Sequence, residues 1–305
     1  MTLDTITHHL DAHEQRVVSG DTFDAVNSVS AAMFALRMRT NDEHWKSVCK
    51  PFIESHNLFH LLQQDPYTRR AKEKPRGYAG DAVMLDFLYF RTPPEETTLL
   101  GREIFNCTVA SPGADAVRWR ARHFAQRIDD LNRAGNVPRC LSLACGHLRE
   151  AEFSEAIRSN QASIVAVDQD PQSLSTVSTS YGAMHVDAQL CNVRDVIKGK
   201  ATFGDLHLAY AAGLYDYLPQ SAATALTARL FSMLVPGGSV VVPNFLHTNP
   251  VRGYMESFMD WFLNVRTPEE IHQLGTAISD AQVAAKRYYE DPFGVVGYLE
   301  ITKGG

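Results

Sequence analysis

Residues 137–171, VPRCLSLACGHLREAEFSEAIRSNQASIVAVDQDP, decide the fold. The stretch opens with a short apolar run, 140–145, rich enough in Leu and Cys to be a buried parallel strand. Gly146 turns the chain. A helical pattern follows through Glu152, Phe153, Ala156 and Ile157, and a second apolar run, 164–167, ends in Asp168. Strand, glycine turn, helix, strand and terminal acid make a βαβ nucleotide-binding unit, with the acid about 20 residues past the turn to hold ribose hydroxyls.

The turn LACGHL (143–148) keeps one glycine where a dinucleotide fingerprint has three. Those three let a pyrophosphate approach the backbone. One glycine suits a ligand without phosphates, such as S-adenosylmethionine. An ordinary βαβ unit with a tight turn reads the same way, so the rest of the chain has to decide.

At 305 residues there is room for one large domain, or a main domain with an appendage. Hydrophobic content of 45% and charged content of 21% describe an ordinary globular protein. The formal charge of −6 argues against nucleic acid as a partner, because neutralising phosphates takes clustered Lys and Arg. The five cysteines (Cys49, Cys107, Cys140, Cys145, Cys191) include no C-x-x-C pair, so neither a disulfide framework nor a zinc site is expected. The N-terminus has no basic segment leading into an apolar core, and no apolar run approaches the ~20 residues that span a bilayer. A cytoplasmic protein with reduced thiols is expected.

Residues 1–65 read as helices, with Asn41-Asp42 as a stop and a new cap. His56 and His60 lie four apart, which is metal-ligand spacing, but no HExxH surrounds them and no third ligand is evident, so no metal is expected. In RGYAGD (76–81) the glycines break the helices and Asp81 is placed to cap the next one. The same loop suits a ligand, since two glycines bring backbone close while Tyr78 and Asp81 offer hydrogen bonds. A basic helix over 119–131 carries Arg118, Arg120, Arg122 and Arg127 on its polar side, read as a solvated face. The turn-rich NRAGNVP (132–138) sets a boundary near 135, between an N-terminal helical substrate-cap region (1–135) and a cofactor-binding domain (136–305).

Downstream, a helix is expected over 172–179, a third strand over 183–186 and a fourth over 205–211. Asn192-Val193 falls where nucleotide-binding folds place the adenine edge. The fourth strand runs into AGLYDYL (212–218), whose polar side chains beside a glycine suit a crevice at a strand's carboxyl end; a tyrosine-rich helix start is the plainer reading. A helix over 224–234 ends in VPGG (235–238), a tight turn, and a fifth strand, 239–243, delivers Asn244 and Phe245 to the same edge. YMESFMDW (254–261) reads as an aromatic helix. Residues 287–290 and 294–302 look like a final antiparallel pair. Strands alternating with helices mean a doubly wound α/β sheet.

The seven-strand layout, the LxLACG turn, the acid after the second strand and the PGG before the fifth resemble the Rossmann-like sheet of class I S-adenosylmethionine-dependent methyltransferases, here with an N-terminal helical cap. More narrowly, RGYAGD, AGLYDYL, NF (244–245) and YMESFMDW followed by RT (266–267) resemble the bacterial extracellular-factor synthases that make 3-hydroxypalmitic acid methyl ester. The match runs from about residue 70 to the C-terminus. It implies methylation of a carboxylate, in a small-molecule substrate such as a hydroxy acid or fatty acid. Ser142 departs from the pattern, because many class I enzymes carry an acid there to meet the methionine amino group.

An ionised carboxylate needs no general base, whereas a hydroxyl or protonated amine does. His147, Asp216, Tyr78 and Tyr215 are the catalytic candidates. The cofactor set is Ala144, Cys145, Gly146, His147, Asp168, Gln169, Asn192, Val193, Ala212 and Gly213, with Tyr78 and Asp81. Asn244, Phe245, Tyr254, Trp261 and Arg252 are expected on the substrate side, with Arg149 as a second cation able to anchor an anion. Glu150 is expected to complement the dipole of the helix after the turn. An O- or N-methyltransferase of a specialised metabolite, an enzyme that cuts the cofactor, and a non-enzymatic binding protein remain open, and the sequence does not set the oligomeric state.

Overall fold

A computed structural model describes residues 3–135 and 137–305. Among the described residues one sheet has seven strands: β1 (Arg139–Leu143), β2 (Ser163–Asp168), β3 (Val186–Leu190), β4 (Leu206–Tyr210), β5 (Leu234–Phe245), β6 (Val283–Glu290) and β7 (Val296–Lys303). Their order is β3-β2-β1-β4-β5-β7-β6. The first five are parallel, and β7 runs antiparallel to both β5 and β6. β1, β2 and β4 are short apolar runs buried on both faces, as parallel strands covered by helices must be.

Three local expectations need correction. The third strand lies at Val186–Leu190, later than 183–186. As an edge strand it is half-exposed, and its sequence VDAQL carries no apolar run to mark it. The helix after the Gly146 turn is two short pieces, a 3-10 turn at Arg149–Glu152 and a helix at Glu155–Arg158 capped by Ser154. The PGG sequence lies inside β5, where the pairing with β4 slips between Leu206 and Leu208. Gly237 takes φ +80°, and a Cβ on Gly238 would sit 2.6 Å from the Leu206 carbonyl oxygen, so glycines make this bulge possible.

The chain packs as two units. One is Met1–Val117 with Thr248–Phe262, the other Arg118–His247 with Leu263–Gly305. The packing boundary therefore falls inside the Pro112–Arg133 helix rather than near 135, and the expected link at 132–138 includes Asn136, outside the described residues. Beyond the boundary this helix belongs to the sheet, with Phe124 stacked on Tyr210 of β4 at 4.2 Å between centroids.

The first unit is helical. Its Thr22–Met38 helix meets the Arg252–Phe258 helix so closely that a Cβ on Gly253 would overlap the Met33 backbone. A buried ion pair, Arg37 Nε to Glu256 Oε2 at 2.6 Å, fixes the same contact. Among the described residues no helix is long and apolar enough to cross a membrane.

Candidate functional site

The strand order reverses between β1 and β4, and a crevice opens at such a point beyond the strands' carboxyl ends. The β1 turn there is tightly wound: Ala144, Gly146 and Leu148 take φ of 53°, 53° and 51°. For Ala144 and Leu148 this left-handed backbone is strained and needs holding. Asp168, at the end of β2, holds it. Its Oδ2 accepts the Gly146 amide at 2.8 Å, its Oδ1 accepts the Asp170 amide at 2.9 Å, and the Cys145 amide donates to Val167 O at 3.0 Å. Burial raises the Asp168 pKa against the pull of these amides. Cys145 has its thiol pushed well up by burial and by Asp168, and is no nucleophile.

Beside the β2 end lies an open cavity of about 520 Å³ lined by Gln169, Leu190, Cys191, Asn192, Asp195, Lys200 and Ala201. Asn192 donates to Gln169 Oε1 at 3.3 Å while its own Oδ1 caps the Val193–Ile197 helix through the Arg194 amide. Of the expected adenine edge, Asn192 faces this cavity, as does Gln169 of the cofactor set. Val193 instead packs on the sheet's core.

Around the ends of β4 and β5 the expected substrate groups serve the scaffold. Arg266, buried, donates to Asn244 Oδ1, to the carbonyls of Tyr215 (2.9 Å) and Leu218 (2.6 Å), and to Gln220 Oε1 (2.7 Å). Asn244 Nδ2 donates to the carbonyls of Phe245 and Asn264. Its amide is fully engaged, so it is not the substrate contact expected. Tyr215 is buried in the apolar core with its hydroxyl 3.1 Å from Thr227 Oγ1, and cannot reach a reacting atom. Asp216 accepts the Phe245 amide at 2.7 Å, and burial lifts its pKa to about 6 although Arg120 and Arg266 pull it down. Ala212 and Gly213 are half-buried just past β4, and His147 is buried in the β1 turn.

Tyr78, Asp81, Arg252, Tyr254 and Trp261 belong to the first unit. Asp81 caps the Ala82–Phe90 helix through the Met84 amide (2.8 Å) and is clamped by Arg70, so its carboxylate serves the loop itself. Tyr254 meets Thr68 at 3.1 Å. Arg252 pairs with Glu256 at 2.6 Å rather than standing open to an anion. Asp11, Glu14 and His56 bring possible ligand atoms within 4.8 Å of one another. His56 Nδ1 accepts the Leu58 amide, however, so its Nε2 carries the proton facing Asp11 and is no ligand.

Sequence reasoning misread the arginine helix. Arg118 and Arg120 are buried, Arg122 lies over the Phe153 ring and Arg127 pairs with Glu300. Arg120 is 3% exposed, and its Nε and Nη1 have no hydrogen-bond partner. The signal was available, because Arg120 precedes the buried Phe124 and Ile128 by four and eight residues, on the stripe that faces inward.

No family model matches the chain, and no curated protein matches its sequence. Among solved structures, a possible exported protein from Bordetella parapertussis is similar with a TM-score of 0.65 and 17% identity, over 93% of this chain and 96% of that one. A putative methyltransferase from Thermobifida fusca YX is similar with a TM-score of 0.50 and 17% identity, over 73% and 94%. These likenesses show the fold, a seven-stranded Rossmann-like sheet flanked by helices.

Ser142 of β1 meets an acid from the turn that follows the strand. Glu150 Oε1 accepts from Ser142 Oγ at 3.0 Å and from Tyr210 OH at 2.7 Å. Glu150 is buried in the first turn of the Arg149–Glu152 3-10 helix, the helix start expected for it. Burial raises its pKa, with Tyr210 the strongest of the donors that oppose the shift.

Proposed function

We propose that the chain is an S-adenosylmethionine-dependent methyltransferase that converts the carboxylate of a small or fatty-acid-like metabolite to its methyl ester. The observation that carries the reading is Asp168, a buried carboxylate at the end of β2, tied to the β1 turn and adjoining the cavity lined by Gln169 and Asn192. These residues fit the cofactor. Asp168 has lone pairs left for a ribose diol, Gln169 and Asn192 offer amides to a purine edge, and the 144–147 turn brings backbone close to a methionine chain.

S-adenosylmethionine, when bound, supplies a methyl group on a sulfonium. The chain's own task is then to align an acceptor oxygen with that methyl and to keep water out. Tyr215, one of the groups that could have served as a base, is buried in the apolar core against Thr227. That favours an acceptor already ionised at neutral pH, as a carboxylate is.

Calorimetry with S-adenosylhomocysteine tests the cofactor assignment: Asp168→Ala should weaken binding about tenfold or more, the worth of hydrogen bonds to a charged group. Unchanged affinity would remove it. For the acceptor, a panel of carboxylic acids is incubated with labelled methyl donor. Label released by mild alkali marks an ester; alkali-stable label means O- or N-methylation and overturns the carboxylate.

A further inference from the structure

We propose that Arg120 and Tyr298 form the anchor for the acceptor's carboxylate. The inference rests on the methyltransferase reading above and names the group that selects its substrate. Arg120 is 3% exposed and leaves Nε and Nη1 without hydrogen bonds; Tyr298, on β7, is fully buried and its hydroxyl is likewise unbonded. The two are neighbours through the arginine helix, since Trp119 and His123 beside Arg120 pack on the Tyr298 ring at 5.5 Å between centroids. Both stand at the ligand end of the sheet. Tyr298 pairs with Pro243 of β5, one residue before Asn244, and Arg120 Nη2 lies 3.6 Å from where a Cβ on Gly213 would be, just past β4.

A buried guanidinium with open donors is costly, and folded proteins rarely leave such donors unmatched. The neighbouring acids do not match them. Glu150 is bonded to Ser142 and Tyr210, and Asp216 to the Phe245 amide. Neither acid makes a hydrogen bond to Arg120 Nε or Nη1. What the pair lacks is an anion with oxygens for an arginine fork and a phenol, and a carboxylate supplies it. Rings wall the place: Trp119, His123 and Tyr289 all pack against Tyr298.

In the transfer step, a carboxylate oxygen forms the new O–CH3 bond as the S–CH3 bond breaks. The carboxylate's negative charge and the sulfonium's positive charge cancel, and no proton moves. The ester is neutral, so Arg120 holds product less tightly than substrate.

The test uses the full chain saturated with S-adenosylhomocysteine, with octanoate and octanamide as probes in thermal melts and calorimetry. Octanoate should raise the melting temperature and octanamide should not. Arg120→Gln and Tyr298→Phe should each weaken octanoate about ten- to hundredfold, while leaving S-adenosylhomocysteine affinity unchanged. Tyr298→Phe removes only an unbonded hydroxyl and should fold normally, which keeps the test valid if Arg120→Gln does not fold. The anchor is overturned if octanoate fails to bind the wild type, or if a folded variant binds it as well as the wild type does. It is overturned too if the variants lose S-adenosylhomocysteine instead, for the carboxylate held is then the cofactor's. Wild type that fails to bind S-adenosylhomocysteine at all sinks the methyltransferase reading, a separate failure.

Discussion

Tyr210, the last residue of β4, donates its hydroxyl at 2.7 Å to Glu150, on the turn after β1. The bond spans the point where the strand order reverses, and it braces the turn against the neighbouring strand. Tyr210→Phe removes the strongest donor to a buried acid. It should cost about 1.5–3 kcal/mol at pH 8, the range for a hydrogen bond to a charged group. At pH 4 Glu150 is largely protonated and the cost should be smaller. Urea unfolding at the two pH values reads the difference, and an equal cost at both would mean that the bond carries no charge-assisted component.

Asp216 and Asp65 each have a pKa lifted to about 6, in both cases mainly by burial. A folded pKa above the unfolded value near 3.9 means that the native state binds the extra proton. The stability this gives is complete below about pH 4 and is lost as pH rises through 6. A shift of this size corresponds to roughly 3 kcal/mol per carboxyl, as an order of magnitude. Asp216→Asn keeps an oxygen for the Phe245 amide but cannot titrate. Its stability relative to wild type should therefore improve steadily from pH 4 to pH 7 in thermal melts. A flat difference would contradict the lifted pKa.

Gly253 has no room for a side chain, because a Cβ there would overlap the Met33 backbone. Gly253→Ala should force the Arg252–Phe258 and Thr22–Met38 helices apart and stretch the Arg37–Glu256 pair. Overpacking of this kind costs about 1–3 kcal/mol or more. The propensity gain of alanine in a helix, about 1 kcal/mol, works against it and is the smaller term. Denaturant midpoints decide the sign.

Much of this architecture was legible in the residues. The apolar runs ending at Leu143 and Asp168 and the lone Gly146 marked the parallel β1–β2 unit, because buried parallel strands leave a continuous apolar signature. β3 was placed too early because an edge strand need be apolar on only part of its surface. The site was harder to read. Asn244, Tyr215 and Arg252 are polar residues in the right segments, yet each spends its polar atoms on a neighbour, and such pairing is invisible in one dimension. Arg120 was misjudged for the opposite reason. Its charge suggested solvent, while its spacing from Phe124 and Ile128 pointed inward.

Arg266, of the RT pair, ties together two of the other motifs. It bonds Asn244 of the NF pair, two carbonyls of AGLYDYL, and Gln220 beyond. Lysine in its place keeps the charge but has one nitrogen, which cannot span four acceptors arranged around a planar fork. Arg266→Lys should therefore strand buried acceptors at the ends of β4 and β5 and destabilise the fold by about 2–4 kcal/mol, since each unmet buried group costs about 1–3 kcal/mol. Asn244→Ala alone should cost less, because Arg266 keeps its other three partners. In the double variant the two losses should fall short of their sum by 0.5 kcal/mol or more, the signature of residues sharing one network. Additive losses in urea unfolding would show instead that Arg266 and Asn244 act independently, and that the joined motifs reflect proximity without coupling.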